Sequence, residues 1–290
     1  MITPGAKQAL LYSYMTVLNP SDEAILLSPS WASYEPMISI IGGVPVNVPV
    51  DRKNFHPDMD AIRSSITDRT RMIMVNSPCN PTGAVYTREE IEEIVSIAIE
   101  HDLWIISDEI YSRLIWNGGE HVSPATIEGG KERTIVISGW SKTWAMTGMR
   151  VGFLAGPEQA VRAAVKCQAN SASHIPTFMM EAARVALDCD DHVERFSDAY
   201  RHRRNLIVQG LEDIPGLRIV NPEGAFYLFI DVTGTGMSDV QFADGALKAG
   251  VQLIPASLIT GGEGFIRVSY AASEEDIKEG INRLRSWLLE

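Results

Sequence analysis

Three residues of catalytically useful type follow three separate apolar runs. Lys142 lies in Ser138-Gly139-Trp140-Ser141-Lys142, directly after Thr134-Ile135-Val136-Ile137, and Arg150 follows it by eight residues. Asp108 closes Leu103-Trp104-Ile105-Ile106-Ser107, and Asn80 sits in the Asn76 to Gly83 stretch that follows Arg71-Met72-Ile73-Met74-Val75. Short aliphatic and β-branched runs of this kind read as buried strands. In an open α/β sheet, ligands bind outside the carboxyl ends of the strands. An amine, a carboxylate and an amide at three such ends would share one crevice. The amine suits nucleophilic or proton-transfer work, the carboxylate can hold a cationic ring nitrogen, and the arginine offers a planar fork to an anion. Taken singly, each has a plainer reading: a loop lysine, a surface arginine, a helix cap. Their recurrence at successive strand ends favours chemistry.

The elements that must position these groups alternate. Gly5-Ala6-Lys7-Gln8-Ala9-Leu10-Leu11 opens a helix reaching about Leu18, with glycine at its start. The free N–H groups at such an end suit a phosphate, though an ordinary helix start reads the same way. Glu23 to Ser28 is a strand, followed by Pro29-Ser30-Trp31-Ala32-Ser33-Tyr34, in which Trp31 is either core or an aromatic plate against a flat ligand ring. A second strand covers Val44 to Val50, and Asp58 to Ser65 has a helical period. Two prolines and a glycine impose a rigid loop around Asn80. Thr87-Arg88-Glu89-Glu90 predicts a capping box on a helix ending near His101. Val151 to Ala155 is a further strand, completing a mainly parallel sheet covered by helices on both faces. From Glu158 to Gly210 the chain is helical, and its Arg201-His202-Arg203-Arg204 cluster is a solvated face or a domain contact. Leu217 to Val220, Ala225 to Ile230 and Phe265 to Tyr270 read as strands of a second sheet, with Arg267 in alternating register. A last helix runs from Ser273 to Leu288. The expected division is a large α/β domain over residues 1–189 and a small α+β domain over 190–290.

Composition narrows the class. The chain has 290 residues, 45% of them hydrophobic, which is ample for a packed core. Its formal net charge of −12 disfavours nucleic acid and anionic membrane as partners. No apolar run reaches the length of a membrane span, and the first residues lack signal-peptide organisation. The three cysteines (Cys79, Cys167, Cys189) are widely spaced and odd in number, which points to a reducing compartment, no disulfide framework and no metal site. A cytoplasmic protein is expected.

The residues resemble the class I/II aminotransferases of fold type I, which use pyridoxal 5′-phosphate. The matching pieces are Gly5 to Leu10, Pro29 to Tyr34, Asn76 to Gly83, Ser107-Asp108-Glu109-Ile110-Tyr111, Ser141-Lys142 with Met146 to Gly152, Gly224-Ala225-Phe226-Tyr227, and Ile266 to Tyr270. They run in family order from near the start to near the end. The resemblance implies that Lys142 forms the Schiff base with the cofactor and later shuttles the proton. It makes Asp108 the partner of the pyridine nitrogen, Asn80 and Tyr111 partners of the ring's phenolic oxygen, and Trp31 the plate stacked on the ring. It puts the phosphate on the N–H groups near Ala6 and Lys7, with Arg150 and either Ser138 or Ser141. Arg267 would clamp the substrate α-carboxylate in a bidentate pair; Asn80, Trp31 and Lys7 would also border the substrate.

By the same resemblance a homodimer is expected, acting on amino acids and 2-oxo acids. Lys7 matches a position that approaches the distal carboxylate of acidic substrates in one aspartate aminotransferase subgroup, so aspartate and glutamate with 2-oxoglutarate are the expected pair. Aromatic or neutral amino acids are the near alternative. The chain begins where the family's phosphate-binding helix begins, so the usual N-terminal segment is expected to be lacking and the site to be wider open to water. Two other readings use the same cofactor: a β- or γ-elimination, and a binding domain with little or no turnover.

Overall fold

In the computed structural model, which describes residues 1–116 and 118–289, the apolar runs form one seven-stranded sheet. Its strands are β1 (Ile2–Thr3), β2 (Glu23–Ser28), β3 (Val44–Pro49), β4 (Thr70–Asn76), β5 (Trp104–Asp108), β6 (Thr134–Gly139) and β7 (Gly152–Ala155), in the order β1-β7-β6-β5-β4-β2-β3. The pairings from β3 across to β6 are parallel. Register then does the positioning: Asn76 lies opposite Asp108, and Asp108 opposite Ile137, one residue before Ser138. Ile73, Ile105 and Ile106 are fully buried, as expected of strands covered on both faces.

The parallel pattern stops at β6. β7 runs antiparallel to it, and β1, which sequence reasoning did not anticipate, runs antiparallel to β7. Between Gly139 and Gly152 the chain fits only the single-turn helix α5 (Trp140–Thr143) and a tight turn, so it folds back instead of crossing over. That turn carries Lys142 and Arg150.

The long helix α1 (Ala6–Val17) lies across this end of the sheet and buries Ala9, Leu10, Tyr12, Tyr14 and Val17. The helices α2 (Tyr34–Ile40) and α3 (Met59–Ser64) follow β2 and β3. In α4 (Arg88–Glu100) the expected capping box forms: Thr87 Oγ1 accepts from Glu90 N, and Glu90 Oε2 accepts from Thr87 N at 2.7 Å. Three helices fill the 158–211 stretch: α6 (Glu158–Ala169), α7 (Thr177–Ala186) and α8 (Asp190–Leu211). Within the basic cluster on α8, Arg201 and His202 are solvated, while Arg204 is buried and donates to Pro222 O at 3.2 Å. The solvated-face reading describes Arg201 and His202, whereas the Arg204–Pro222 contact lies inside the 190–290 segment and joins no two domains.

A smaller antiparallel sheet follows, ordered β10 (Ile254–Pro255), β11 (Phe265–Ser269), β9 (Tyr227–Asp231), β8 (Arg218–Ile219), with α9 (Asp239–Lys248) and α10 (Glu274–Leu289). Its two faces diverge with period two. Leu228, Ile230, Ile266 and Val268 pack on α8 and α10 through Ile207, Leu211, Ile277 and Leu284. Phe229 and Phe265 turn the other way and stack with centroids 4.7 Å apart, meeting Phe55 beside the large sheet. Such aromatic pairs add about 0.5–1.5 kcal/mol each beyond area burial. Arg267, two residues from Phe265, shares that inward face.

The segment entering β9 is fastened to the Asn80 loop. Glu223 and Gly224 both donate main-chain N–H groups to Gly83 O, at 2.9 and 2.8 Å. His56 stands beside this seam, with Nδ1 2.8 Å from Glu90 Oε1 and Nε2 3.3 Å from Glu223 Oε2. Glu223 Oε2 also accepts from Val85 N at 2.9 Å.

Candidate active site

Beyond the carboxyl ends of β4, β5 and β6 lies a cavity of about 340 Å³. Asn80, Asp108, Tyr111, Ser141, Lys142 and Arg150 line it, together with Ala6, Lys7 and Trp31 from the α1 side. Nearly all the residues singled out from sequence therefore meet in one place.

Asp108 forms the buried floor. Its Oδ2 accepts from Tyr34 Oη at 2.8 Å and its Oδ1 from Ile110 N at 3.2 Å. Among the described residues no cation lies within ion-pair distance of it. Burial pushes its carboxyl up from 3.8 to about 6; the Tyr34 and Ile110 hydrogen bonds pull against that, and neighbouring Glu109 adds to it. Lys142 is half-buried, its Nζ 5.1 Å from the Phe226 ring centroid and 5.8 Å from that of Tyr111. Burial lowers the amine's proton affinity, helped by the Arg267 charge and opposed by Asp108. An amine of lowered proton affinity beside a buried carboxylate that has no ion-pair partner among the described residues suits an external cation and a proton transfer.

The α1 end supplies an anion seat. Gly5, at φ 82°, caps the helix with no side-chain hydrogen bond, and no acidic residue occupies the first turn. The first-turn amides thus stay available for an anion. A Cβ at Gly5 would come 2.5 Å from Arg150 Nη2, and one at Gly152 would come 2.3 Å from Ala6 N. Both glycines are needed for the guanidinium and β7 to approach the helix start so closely. Arg150 itself holds a left-handed backbone, φ 53°, and donates to Thr147 O at 3.0 Å. Such a conformation at a non-glycine residue concentrates at functional sites.

At the mouth, Lys7 is exposed, its Nζ 4.8 Å over the Trp31 ring and 3.3 Å from Ser33 Oγ. Trp31 meets Tyr34 edge-on at 5.4 Å. Arg267 stands just outside the cavity wall, donating to Asn80 Oδ1 at 3.0 Å, with its guanidinium 4.8 Å over the Tyr227 ring. The Asn80 main-chain N–H donates to Asn76 Oδ1 at 2.9 Å, which ties the loop to the end of β4.

One expectation needs correction. Ser138 is not at the cavity: it belongs to β6, and its hydroxyl donates to Glu109 O at 3.2 Å across the neighbouring strand. Of the two serines considered, Ser141, on the turn beyond the strand, lines the space. Sequence reasoning also missed residues. Tyr227 lines the cavity and shares a 3.0 Å hydroxyl contact with Tyr111, while Tyr34 and Asn76 hold the floor from beneath. Asn76 was findable, since it ends its strand as Asp108 does. Tyr34 and Tyr227 carry no such signal, because an aromatic residue beside an apolar run reads as core.

The geometry fits pyridoxal 5′-phosphate: an amine whose proton affinity burial lowers, a floor carboxylate with no ion-pair partner among the described residues, and an anion seat, spaced around one cavity. Among the described residues no group of three or more His, Cys, Asp or Glu side chains is gathered to hold a metal ion. No helix among them is long and apolar enough to cross a membrane.

Comparison with known proteins agrees. A family profile described as "Aminotransferase class I and II" matches residues 1–284. The chain is 40% identical to aromatic-amino-acid aminotransferase 2 of Thermococcus litoralis over 296 aligned positions, covering 100% of this chain and 76% of that protein. Aspartate/prephenate aminotransferase of Thermus thermophilus is 39% identical, over 98% of this chain and 74% of the relative. Among solved structures, the aromatic aminotransferase from Pyrococcus horikoshii superposes with a TM-score of 0.97 at 39% identity, covering 100% of this chain and 78% of the other. The Thermus thermophilus aspartate aminotransferase with maleate gives 0.94 at 38%, covering 99% and 75%. With the site's geometry and these likenesses in agreement, the chain belongs to the class I and II aminotransferases, fold-type I transaminases that work with pyridoxal 5′-phosphate.

Proposed function

We propose that this enzyme passes the amino group of L-aspartate or L-glutamate to a 2-oxo acid such as 2-oxoglutarate, using the cavity around Lys142. The observation that carries the reading is the buried Asp108 carboxylate, without an ion-pair partner among the described residues and lining the same 340 Å³ space as the Lys142 amine. When bound, the cofactor supplies an electron sink for the carbanion left as the substrate Cα–H bond breaks. Lys142 Nζ, biased to the neutral form by burial and Arg267, takes the Cα proton as base and returns it as acid. Asp108 keeps the proton on the ring nitrogen. The Asn80 amide and the Tyr111 hydroxyl would hold the ring through its phenolic oxygen, and Trp31 would bear on the ring. The first-turn amides of Ala6 and Lys7, with Ser141 and Arg150, hold the phosphate.

Arg267 pairs with the substrate α-carboxylate, its fork already aligned by Asn80 and Tyr227. Lys7 meets the distal carboxylate: it sits exposed at the mouth and, among the described residues, pairs with no acidic side chain. Relatives named aspartate aminotransferase support that choice. The aromatic lining by Trp31, Tyr111 and Tyr227, and the relative named for aromatic amino acids, favour a second reading with an aromatic donor.

A panel of amino acids added to the cofactor-loaded protein, followed by absorbance, tests these together. Aspartate and glutamate should shift the cofactor band at the lowest concentrations. A shift by aromatic donors alone would install the second reading, and release of pyruvate or ammonia without an oxo-acid acceptor would point to elimination.

We further place the boundary between a large and a small domain near residue 190, supported by the packing of the C-terminal half of α8 beneath the small sheet. A homodimer accords with the exposed apolar side chains Ile40 and Phe178, 80% and 67% accessible, and with the family; light scattering tests it. The unpaired cysteines accord with a cytoplasmic setting.

A further inference from the structure

No polar group fixes the Lys142 amine in place. Among the described residues its Nζ has neither a hydrogen bond nor an ion pair; it stands over two aromatic rings, with the centroid of Phe226 at 5.1 Å and that of Tyr111 at 5.8 Å. Phe226 is buried and has no part in the mechanism proposed above. Three aromatic neighbours hold its ring: Tyr111 meets it edge-on at 5.3 Å, Tyr200 of α8 stacks on it at 5.2 Å, and Tyr227 lies tilted at 4.8 Å. The main chain around it is tied down as well. Ala225 N donates to Leu114 O at 2.8 Å, Ala225 O accepts from Tyr270 Oη at 3.2 Å, and Phe226 O accepts from Tyr270 N at 3.1 Å. Ala225 holds φ 59°, a left-handed conformation that persists only where its surroundings enforce it.

An ammonium within about 6 Å of a ring face is attracted by the ring's quadrupole, and more strongly where water is excluded. A ring differs from a carboxylate in that it attracts the charge but has no lone pair to take the proton. Lys142, read as the group that takes a proton and returns it, is a cation for part of the cycle. Burial and the Arg267 charge oppose that form. Arg150 opposes it too, Asp108 favours it, and the hydroxyls of Tyr111 and Tyr227 stay protonated because burial raises both.

We propose that Phe226 is a positioning residue for Lys142: its ring face seats the ammonium and holds the amine in the cavity without competing for the proton it carries. The proposal rests on the reading that Lys142 is the amine that serves the cofactor.

The experiment measures, in the cofactor-free protein, the pH midpoint at which Lys142 becomes reactive, by trace labelling with acetic anhydride and mass spectrometry of the peptide that carries it. Difluoro- and trifluorophenylalanine incorporated at position 226 preserve the shape of the ring while draining negative charge from its face. Losing that attraction leaves burial and Arg267 less opposed, so the midpoint should fall stepwise with fluorine number, by about half a unit to one unit in total. Phe226→Leu, apolar but without a ring face, should lower it at least as far. An unchanged midpoint across the fluorinated pair overturns the proposal. So does a fall in Phe226→Leu that the fluorinated rings do not share, which would trace the effect to packing. Should Phe226→Leu fail to fold, as its melting curve would report, the fluorinated pair decides alone. Borohydride trapping of the protein loaded with pyridoxal 5′-phosphate, followed by peptide mapping, checks the underlying reading separately: label at Lys142 upholds it, and label at another lysine removes both.

Discussion

Two charged clusters lie along the 76–85 stretch, and they are finished differently. At the seam near Gly83, His56 stands between Glu90 and Glu223, and both carboxylates take further main-chain donors. Every charge there has its opposite within the protein. At the cavity floor Asp108 has two neutral donors and, among the described residues, no cation in ion-pair reach. The first cluster is a joint: it fixes the segment entering β9 against the Asn80 loop. The second leaves an electrostatic demand open, which an incoming cation can answer. Burial raises proton affinity at Asp108, whereas the Glu223 and Glu90 hydrogen bonds raise it at His56 to about 9. A shifted group is therefore informative mainly through whether its partner is already present.

The contrast can be broken most severely at Lys142. Lys142→Ala should reduce transamination by at least about 10²-fold, while the proposed phosphate seat of main-chain amides, Ser141 and Arg150 still retains the cofactor noncovalently. Steady-state rates and gel filtration of the loaded protein read the two effects separately.

Asp108→Asn should next divide affinity from stability. An acid whose folded-state value is raised from 3.8 to about 6 binds an extra proton only when folded. The cofactor-free protein should then lose stability as pH rises from about 4 to 6, by ~2–3 kcal/mol. The asparagine variant should lack that slope and melt higher than the parent at pH 7–8 without cofactor, yet bind cofactor at least about 10-fold more weakly. A lower melting point would mean that Asp108 belongs to a closed cluster after all.

His56 offers the opposite sign. Its value rises from 6.5 to about 9, so its contribution is full below pH 6.5 and is lost as pH climbs through 9. Discounted for solvent screening, it amounts to about 1–2 kcal/mol. His56→Gln should melt lower than the parent at pH 6 and converge with it above pH 10. The smallest effect belongs to Thr87→Ala, which removes the hydroxyl that accepts the Glu90 N–H at the start of α4, for about 1 kcal/mol, and should leave cofactor binding unchanged.

Sequence alone exposed what each strand end carries, because a polar residue closing a β-branched run is visible in one dimension. Asn80, Asp108 and Lys142 were legible for that reason, as was the capping box at Thr87. Register was not legible: nothing local says that Asn76 pairs with Asp108 or that Ser138 turns its hydroxyl onto Glu109. The reversal at β7 was hidden too, since direction depends on whether the connecting residues form a crossover, and those between Gly139 and Gly152 form a turn. Tyr227 and Arg267 reach the site from another sheet altogether, so their meeting depends on how Phe229 and Phe265 pack against Phe55.

The bare α-carbons at Gly5 and Gly152 carry a practical consequence. Because the proposed anchor for the anion draws on backbone amides, Ser141 and the Arg150 guanidinium, replacing the side chains of Lys7 or Ser33 at the rim should leave it in place. On the proposed reading, Lys7 and Ser33 can accordingly be varied to retool which donor is accepted, while Trp31, assigned to the cofactor ring, is kept.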